Sequence, residues 1–73
     1  MKRVLIFEST YALLKAERVL KRHALTYEIQ PTPRHFSSDC GMCLVLEGEV
    51  DAPTRALLQG QGVACEWQTW EDA

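Results

Sequence analysis

The sequence lacks long apolar segments, although its composition is ordinary for a globular protein. Of its 73 residues 8% are aromatic and three are cysteine, and its apolar runs are far shorter than the roughly 20 residues of a membrane span. The apolar segment 4–7 near the amino terminus is also too short for a secretory signal peptide, which needs about 7–15 such residues. An odd number of cysteines without an export signal argues against a disulfide framework. We therefore expect a cytoplasmic protein with reduced thiols and no contact with a membrane.

The chain is also too short to form a large enzyme. Its 73 residues predict one domain, 1–73, which buries only about 60% of the surface of the unfolded chain. Such a thin core cannot enclose a large cofactor or a deep substrate pocket. We expect no cofactor, and a carrier, binding module or regulatory subunit rather than a stand-alone enzyme.

Charge is unevenly distributed along the chain. The net charge is −2, but residues 1–38 carry +4 and residues 39–73 carry −6. Two solvated faces of opposite sign explain this pattern, and a docking polarity for an acidic partner or a self-complementary homodimer is the alternative. Because the pI is 5.6 and no basic stripe alternates with aromatic residues, we expect no nucleic-acid binding.

Hydrophobic periodicity predicts four strands and two helices. The predicted strands cover residues 3–8, 25–29, 42–46 and 63–70. The predicted helices cover residues 11–22 and 52–59. With right-handed crossovers, this β-α-β-β-α-β order predicts a ferredoxin-like α+β fold, in which two helices cover one face of a four-stranded antiparallel sheet.

The ends of the predicted elements place the first helix next to a polar loop. Ser9 and Thr10 offer hydroxyls that can cap the first helix, and Pro31 is expected to end the second strand. Because the first two strands run parallel in this topology, the loop 31–41 lies at the same end of the molecule as the start of the first helix. The loop therefore faces unpaired backbone N–H groups and the positive end of a helix dipole.

The polar loop carries a thiol whose neighbours favour reactivity. Cys40 is followed by Gly41, which permits a tight turn or the approach of a partner to the sulfur. Cysteine reacts as the thiolate, and its pKa falls beside positive charge or a helix N-terminus. Arg34 and His35 are candidate stabilisers of that anion, whereas Asp39 opposes them. A functional thiol and a partly buried structural thiol both remain open for Cys40.

Cys40 and Cys43 also form a C-x-x-C motif, which suggests a redox pair. Cys43 falls at the start of a predicted strand, however, so a small core residue is the simpler interpretation. The candidate metal ligands are His35, Cys40, Cys43 and Cys65. Structural zinc sites usually present two clear pairs of ligands and this chain presents one, so we expect no metal.

The remaining residues of note are expected to be structural. Cys65, Trp67 and Trp70 occupy the last predicted strand, where they are expected in the core or at an interface. Glu17 and Lys21 are four residues apart on the first helix, in the favourable order for an ion pair.

Several segments together resemble a small bacterial family, the selenium/sulfur (Se/S) carrier-like proteins. The motifs that carry this resemblance are the segments 7–13 and 20–21, Glu17, Pro-Thr-Pro-Arg at 31–34 and Ser-Ser-Asp-Cys-Gly at 37–41. They lie within about residues 4–47. One departure is the junction between the first helix and the second strand, where the family usually has glycine and this chain has His23 and Ala24.

The resemblance implies that Cys40 accepts a terminal sulfur or selenium atom as a persulfide or selenosulfide and relays it to an acceptor protein. The donor would be a protein such as a cysteine desulfurase. Arg34 would stabilise the anion and Gly41 would give access to it. The expected hydrogen-bonding groups are Ser9, Thr10, Ser37 and Ser38. The alternative is a small protein–protein interaction or regulatory module with an incidental or redox-sensing C-x-x-C.

Overall fold

The chain folds into four strands and two helices. The computed structural model describes residues 2–36, 40–47 and 51–70. The elements are β1 (Lys2–Ile6), α1 (Thr10–Arg22), β2 (Glu28–Pro31), β3 (Met42–Glu47), α2 (Asp51–Gly60) and β4 (Glu66–Trp70). The predicted order of elements and the α+β class are confirmed. Within the described ranges, neither helix has the length and apolar character needed to cross a membrane.

The four strands form one antiparallel sheet in the order β2-β3-β1-β4. Since β1 and β2 are both antiparallel to β3, they run parallel to each other. Ile6, at the carboxyl end of β1, lies opposite Cys43 of β3 and Glu66 of β4. Pro31, at the end of β2, lies opposite Met42. The ends of β1 and β2 and the starts of β3 and β4 therefore share one edge of the molecule, which we call the site end.

The two central strands are buried on both faces. The helix-side core combines alternate residues of β1 and β3 with residues of both helices. Its members are Leu5, Phe7, Leu13, Ala16, Val19, Leu20, Leu44, Leu46, Leu58 and Val63. The opposite-face core consists of Val4, Ile6, Cys43 and Val45. Both helices therefore pack on the same face of the sheet, because each contributes residues to the helix-side core.

Local interactions explain both ends of α1. The Ser9 side chain accepts a hydrogen bond from the backbone N–H of Ala12 at 3.2 Å, which confirms Ser9 as the cap. At the other end Ala24 has a φ of +57°. Its N–H and that of Leu25 donate to carbonyls of the last helical turn, at 3.0 and 2.9 Å. This is the Schellman arrangement, which usually places glycine where this chain has Ala24.

The structure shifts the two edge strands from their predicted bounds. β2 begins at Glu28 rather than at residue 25 and includes Pro31, which was expected to end the strand. An edge strand tolerates proline because the missing N–H costs no hydrogen bond when it faces away from the sheet. β4 begins at Glu66 rather than at residue 63. The N–H of Val63 instead donates to the carbonyl of Leu58, at 2.9 Å, and closes the end of α2.

Candidate functional site

The site end brings together three parts of the chain that are distant in sequence. Ser9 and Thr10 follow β1 and begin α1, Cys40 and Gly41 precede β3, and Cys65 precedes β4. The strand register fixes this arrangement, because β3 and β4 start where β1 ends. The loop before β3 and the amino terminus of α1 lie at the same end of the molecule, as the parallel β1 and β2 predict.

Cys40 lies between the interior and the solvent. The residue is partly buried and packs against the helix-side core. Its neighbour Gly41 is exposed and has a φ of +79°, and none of the described residues places a heavy atom within 4 Å of the position that a Cβ would take. The carbonyl of Gly41 accepts a hydrogen bond from the N–H of Thr32 at 3.0 Å. Backbone bonding thus anchors the chain beside Cys40, while the described residues leave the space at Gly41 open.

Cys43 is a core residue, as its position in a strand predicts. It is 0% exposed and belongs to the opposite-face core. Its Sγ lies 4.0 Å from the carbonyl oxygen of Pro31. Burial raises the pKa of the Cys43 thiol, a hydrogen bond with Thr32 opposes this shift, and the neighbouring Cys40 adds to it. At neutral pH Cys43 therefore remains a protonated thiol that solvent does not reach.

Cys65 is also held in its protonated form. It is partly buried and packs against the helix-side core. Burial raises the pKa of the Cys65 thiol to about 11, although the positive charge of Arg55 and a hydrogen bond with Trp67 oppose this shift. The Arg55 guanidinium lies 4.8 Å from the centre of the Trp67 ring. The structural role predicted for Cys65 and Trp67 agrees with their packing against the core.

The first turn of α1 offers hydrogen-bond donors and carries no acid of its own, although Glu8 lies just before the cap. The Ser9 oxygen accepts from the helix backbone, so its hydroxyl hydrogen is still able to donate to another group. Thr10 is exposed at the first helical position. The positive end of the helix dipole is therefore not neutralised from within α1, which favours an anion at this end of the molecule.

A groove runs beside the start of α1. It encloses about 550 Å³, open solvent included, between the first turns of α1 and the segment that leads to β4. Its lining residues are Glu8, Ser9, Tyr11, Ala12, Lys15 and the segment 62–64. Lys15 Nζ lies 3.8 Å from the position that a Cβ on Gly62 would take. Lys15 thus brings a positive charge to the site end, a contribution that helical spacing alone did not reveal.

Arg34 and His35 lie in a turn of the loop. The N–H of Phe36 donates to the carbonyl of Pro33 at 3.0 Å and closes the turn. Arg34 and His35 are exposed, and the His35 ring lies 4.2 Å from the Phe36 ring, centre to centre. Among the described residues, no hydrogen bond or ion pair joins Arg34 to Cys40. The predicted contributors Ser37 and Ser38, and the opposing Asp39, lie outside the described residues.

The four candidate metal ligands do not assemble into one cluster. Within the described parts of the chain, no group of three or more His, Cys, Asp or Glu residues is arranged to hold a metal ion. Cys43 belongs to the opposite-face core, whereas Cys40 and Cys65 pack against the helix-side core. The sheet therefore separates Cys43 from Cys65.

Comparison with known proteins assigns the chain to a family. The model of the family described as "Putative Se/S carrier protein-like" matches residues 2–67. Neither the curated proteins nor the solved structures contain a match. The matched region covers all six elements apart from the last residues of β4. The chain therefore belongs to the Se/S carrier-like family.

Proposed function

We propose that the protein carries sulfur or selenium and that Cys40 holds the transferred atom. One observation carries the proposal: the three thiols lie in different environments. Cys43 is fully buried, and burial raises the pKa of Cys65 to about 11. Cys40 is partly exposed, beside the open space at Gly41. A carrier needs a thiol that a second protein can reach, and Cys40 meets this requirement best.

The transfer is a thiol exchange with no net oxidation. The Cys40 thiolate attacks the terminal sulfur of a donor persulfide, R–S–SH, and the donor S–S bond breaks. The donor leaves as the thiolate R–S⁻, and Cys40 becomes Cys40–S–SH. A nucleophile of the acceptor then attacks the terminal sulfur, and Cys40 leaves as a thiolate. A terminal selenium atom follows the same steps through Cys40–S–SeH.

Residues around Cys40 are assigned supporting roles. The N–H groups at the start of α1, with Ser9 and Thr10, stabilise negative charge on the thiolate or persulfide. Arg34 reaches the anion by a movement of its exposed side chain. Gly41 leaves room for the donor, since its φ of +79° and open surroundings suit glycine. Ser37 and Ser38 of the same loop are further hydrogen-bond donors in this proposal.

The proposal also includes the architecture and the setting of the protein. We assign residues 1–73 to one domain of the ferredoxin-like type, supported by the central position of β1 and β3 and by helices on one face. All three cysteines are free thiols. A carrier thiol must stay reduced between transfers, which supports a reducing compartment such as the bacterial cytoplasm. The donor is then a persulfide-forming enzyme such as a cysteine desulfurase.

Mass spectrometry of the loaded protein tests this function. The wild-type protein is incubated with a cysteine desulfurase and cysteine, the thiols are blocked, and the peptides are mapped. We expect the mass of one additional sulfur atom on the Cys40 peptide, which Cys40→Ser abolishes and the matched control Cys65→Ser retains. The proposal fails if Cys40 gains no sulfur while a known carrier in the same experiment is loaded.

Mild oxidation followed by mapping of the remaining thiols separates the carrier from a C-x-x-C redox pair. A redox pair would give a disulfide between Cys40 and Cys43 after mild oxidation, with both thiols lost together. We expect oxidation to modify Cys40 while Cys43 remains a thiol, because Cys43 is 0% exposed. Paired loss of both thiols would favour the redox pair.

A further inference from the structure

The outward side of α1 carries two large apolar side chains that the fold leaves in solvent. Tyr11 is 76% exposed and Leu14 is 50% exposed. They are three residues apart, so they are neighbours on the helix surface. Both lie in the first turns of α1, which starts at the site end. The apolar surface therefore lies at the same end of the molecule as Cys40.

The same side of α1 continues as a basic surface. Arg18 and Arg22 are exposed and four residues apart. With 3.6 residues per turn, Tyr11, Leu14, Arg18 and Arg22 fall within roughly 80° of arc. We call these four residues the α1 outer face. The buried residues of α1 are Leu13, Ala16, Val19 and Leu20, on the other side of the helix.

The single acid of α1 does not neutralise the arginines. Glu17 Oε2 accepts a hydrogen bond from the Tyr27 hydroxyl at 2.6 Å and lies 3.7 Å from Lys21 Nζ. Glu17 is thus paired with Tyr27, which precedes β2, and with Lys21 on the same helix. Within the described residues, Arg18 and Arg22 form no ion pair. The two arginines therefore leave uncompensated positive charge beside the apolar pair.

The composition of this surface fits a protein partner with acidic side chains. Tyr and Arg are, with Trp, the residues enriched at energetically important positions of protein interfaces. An exposed Leu14 matches an apolar pocket, and Arg18 and Arg22 match carboxylates at its rim. Nucleic acid fits less well, because the chain as a whole is negative, −2, and its second half carries −6.

We propose that the α1 outer face docks the persulfide-donor protein that loads Cys40, through an acidic surface that surrounds an apolar pocket. This inference rests on the proposed function. Tyr11 and Leu14 enter the pocket near the site end. Arg22 lies about 16 Å further along the helix from Tyr11, at 1.5 Å per residue, where its charge steers the approach of the donor.

Comparison of a protein donor with a small-molecule donor tests the docking surface. Cys40 is loaded either by a cysteine desulfurase with cysteine or by inorganic polysulfide. We expect Arg18→Glu with Arg22→Glu to slow loading from the desulfurase by about tenfold or more at low ionic strength, and to leave loading from polysulfide unchanged. Leu14→Ser should slow desulfurase loading as well, with a weaker dependence on salt.

A variant elsewhere on the surface controls for charge. Arg55→Glu makes the same change in charge as one outer-face substitution, on α2, and should leave both loading rates within twofold of wild type. Circular dichroism and thermal unfolding confirm that each variant is folded. Added salt should slow desulfurase loading of the wild type, because it screens the steering charges.

The possible failures are distinguishable. If the desulfurase loads the double-arginine variant at the wild-type rate, the docking surface is overturned and the carrier function stays intact. Loading of wild-type Cys40 by polysulfide but not by the desulfurase also overturns the docking surface, because the intact outer face then recruits no donor. If neither donor loads wild-type Cys40, the carrier function fails and the docking surface fails with it. A homodimer that the double variant dissociates, with no change in loading, overturns the proposal in favour of self-association.

Discussion

At the scale of single residues, chemically identical side chains acquire different properties from their surroundings. Cys43 is enclosed by the opposite-face core and Cys65 lies against the helix-side core. Burial disfavours the thiolate of both, so the pKa of each is raised. Cys40 is partly buried in the loop before β3. Position in the fold, rather than the C-x-x-C motif, therefore distinguishes the thiols.

Alkylation kinetics provide the first prediction. At pH 7 we expect iodoacetamide to modify Cys40 first and Cys65 much more slowly. The rise in the pKa of Cys65 from 9.0 to about 11 lowers its thiolate fraction roughly 100-fold. The rate at Cys65 should then increase steeply as the pH approaches 11. Peptide mass spectrometry against time measures each rate, and faster modification of Cys65 or Cys43 at pH 7 would contradict this account.

Tyr27 gives a second prediction at this scale. Burial is the main cause that raises the pKa of Tyr27 to about 12, and its hydrogen bond to Glu17 adds to the shift. The folded protein therefore retains a phenol proton that the unfolded chain releases near pH 10. The resulting stability is fully present below pH 10 and is lost as the pH rises through about 12.

Denaturant titrations of a variant test this dependence. Tyr27→Phe removes the hydrogen bond and should lower the free energy of unfolding by about 1 kcal/mol at neutral pH. The difference between wild type and variant should shrink between pH 10 and 12, because the wild type loses its advantage there. A difference that stays constant through this range would contradict the shifted pKa of Tyr27.

At the scale of elements, the carboxyl end of α1 contains a conformation that its sequence does not favour. Ala24 has a φ of +57°, where an L-residue is disfavoured by roughly 1–2 kcal/mol and glycine is not. We expect Ala24→Gly to raise the free energy of unfolding by about 1 kcal/mol at most. The gain is reduced because glycine has more conformational entropy than alanine in the unfolded chain. Urea denaturation measures this change.

A matched substitution in α2 gives the opposite sign. Ala56 is exposed within α2, where glycine costs roughly 0.5–1 kcal/mol relative to alanine. Ala56→Gly should therefore destabilise the protein while Ala24→Gly stabilises it. Destabilisation by both substitutions would show that the positive φ of Ala24 carries no strain.

The sequence predicted correctly those element ends that depend on residues close by in the chain. The hydroxyl of Ser9 identifies the start of α1 because a cap depends on the next three residues only. The bounds of β2 were missed because an edge strand depends on its partner, and Pro31 is acceptable only at such an edge. Val63 was assigned to β4 because of its apolar character, yet its N–H bonds to the end of α2.

At the scale of the molecule, the strand topology determines which segments of the chain lie together at the site end. The sequence predicts parallel first and second strands, and this alone places the Cys40 loop at the same end of the molecule as the start of α1. It could not predict the hydrogen bond between Tyr27 and Glu17, because that bond depends on how the segment before β2 packs against α1. Nor could it predict Lys15 at the groove, which depends on how the segment 62–64 passes α1. Most of the features that the sequence did not predict are therefore contacts between different elements.

The most direct test of the central claim is whether sulfur on Cys40 can be loaded and then released. Protein treated with a cysteine desulfurase and cysteine is separated from both and exposed to cyanide, which takes up the terminal sulfur as thiocyanate and returns the thiol. We expect close to one equivalent of thiocyanate per chain from the wild type and from Cys65→Ser, and none from Cys40→Ser. Equal release from wild type and Cys40→Ser would contradict the account, because another atom would then carry the sulfur.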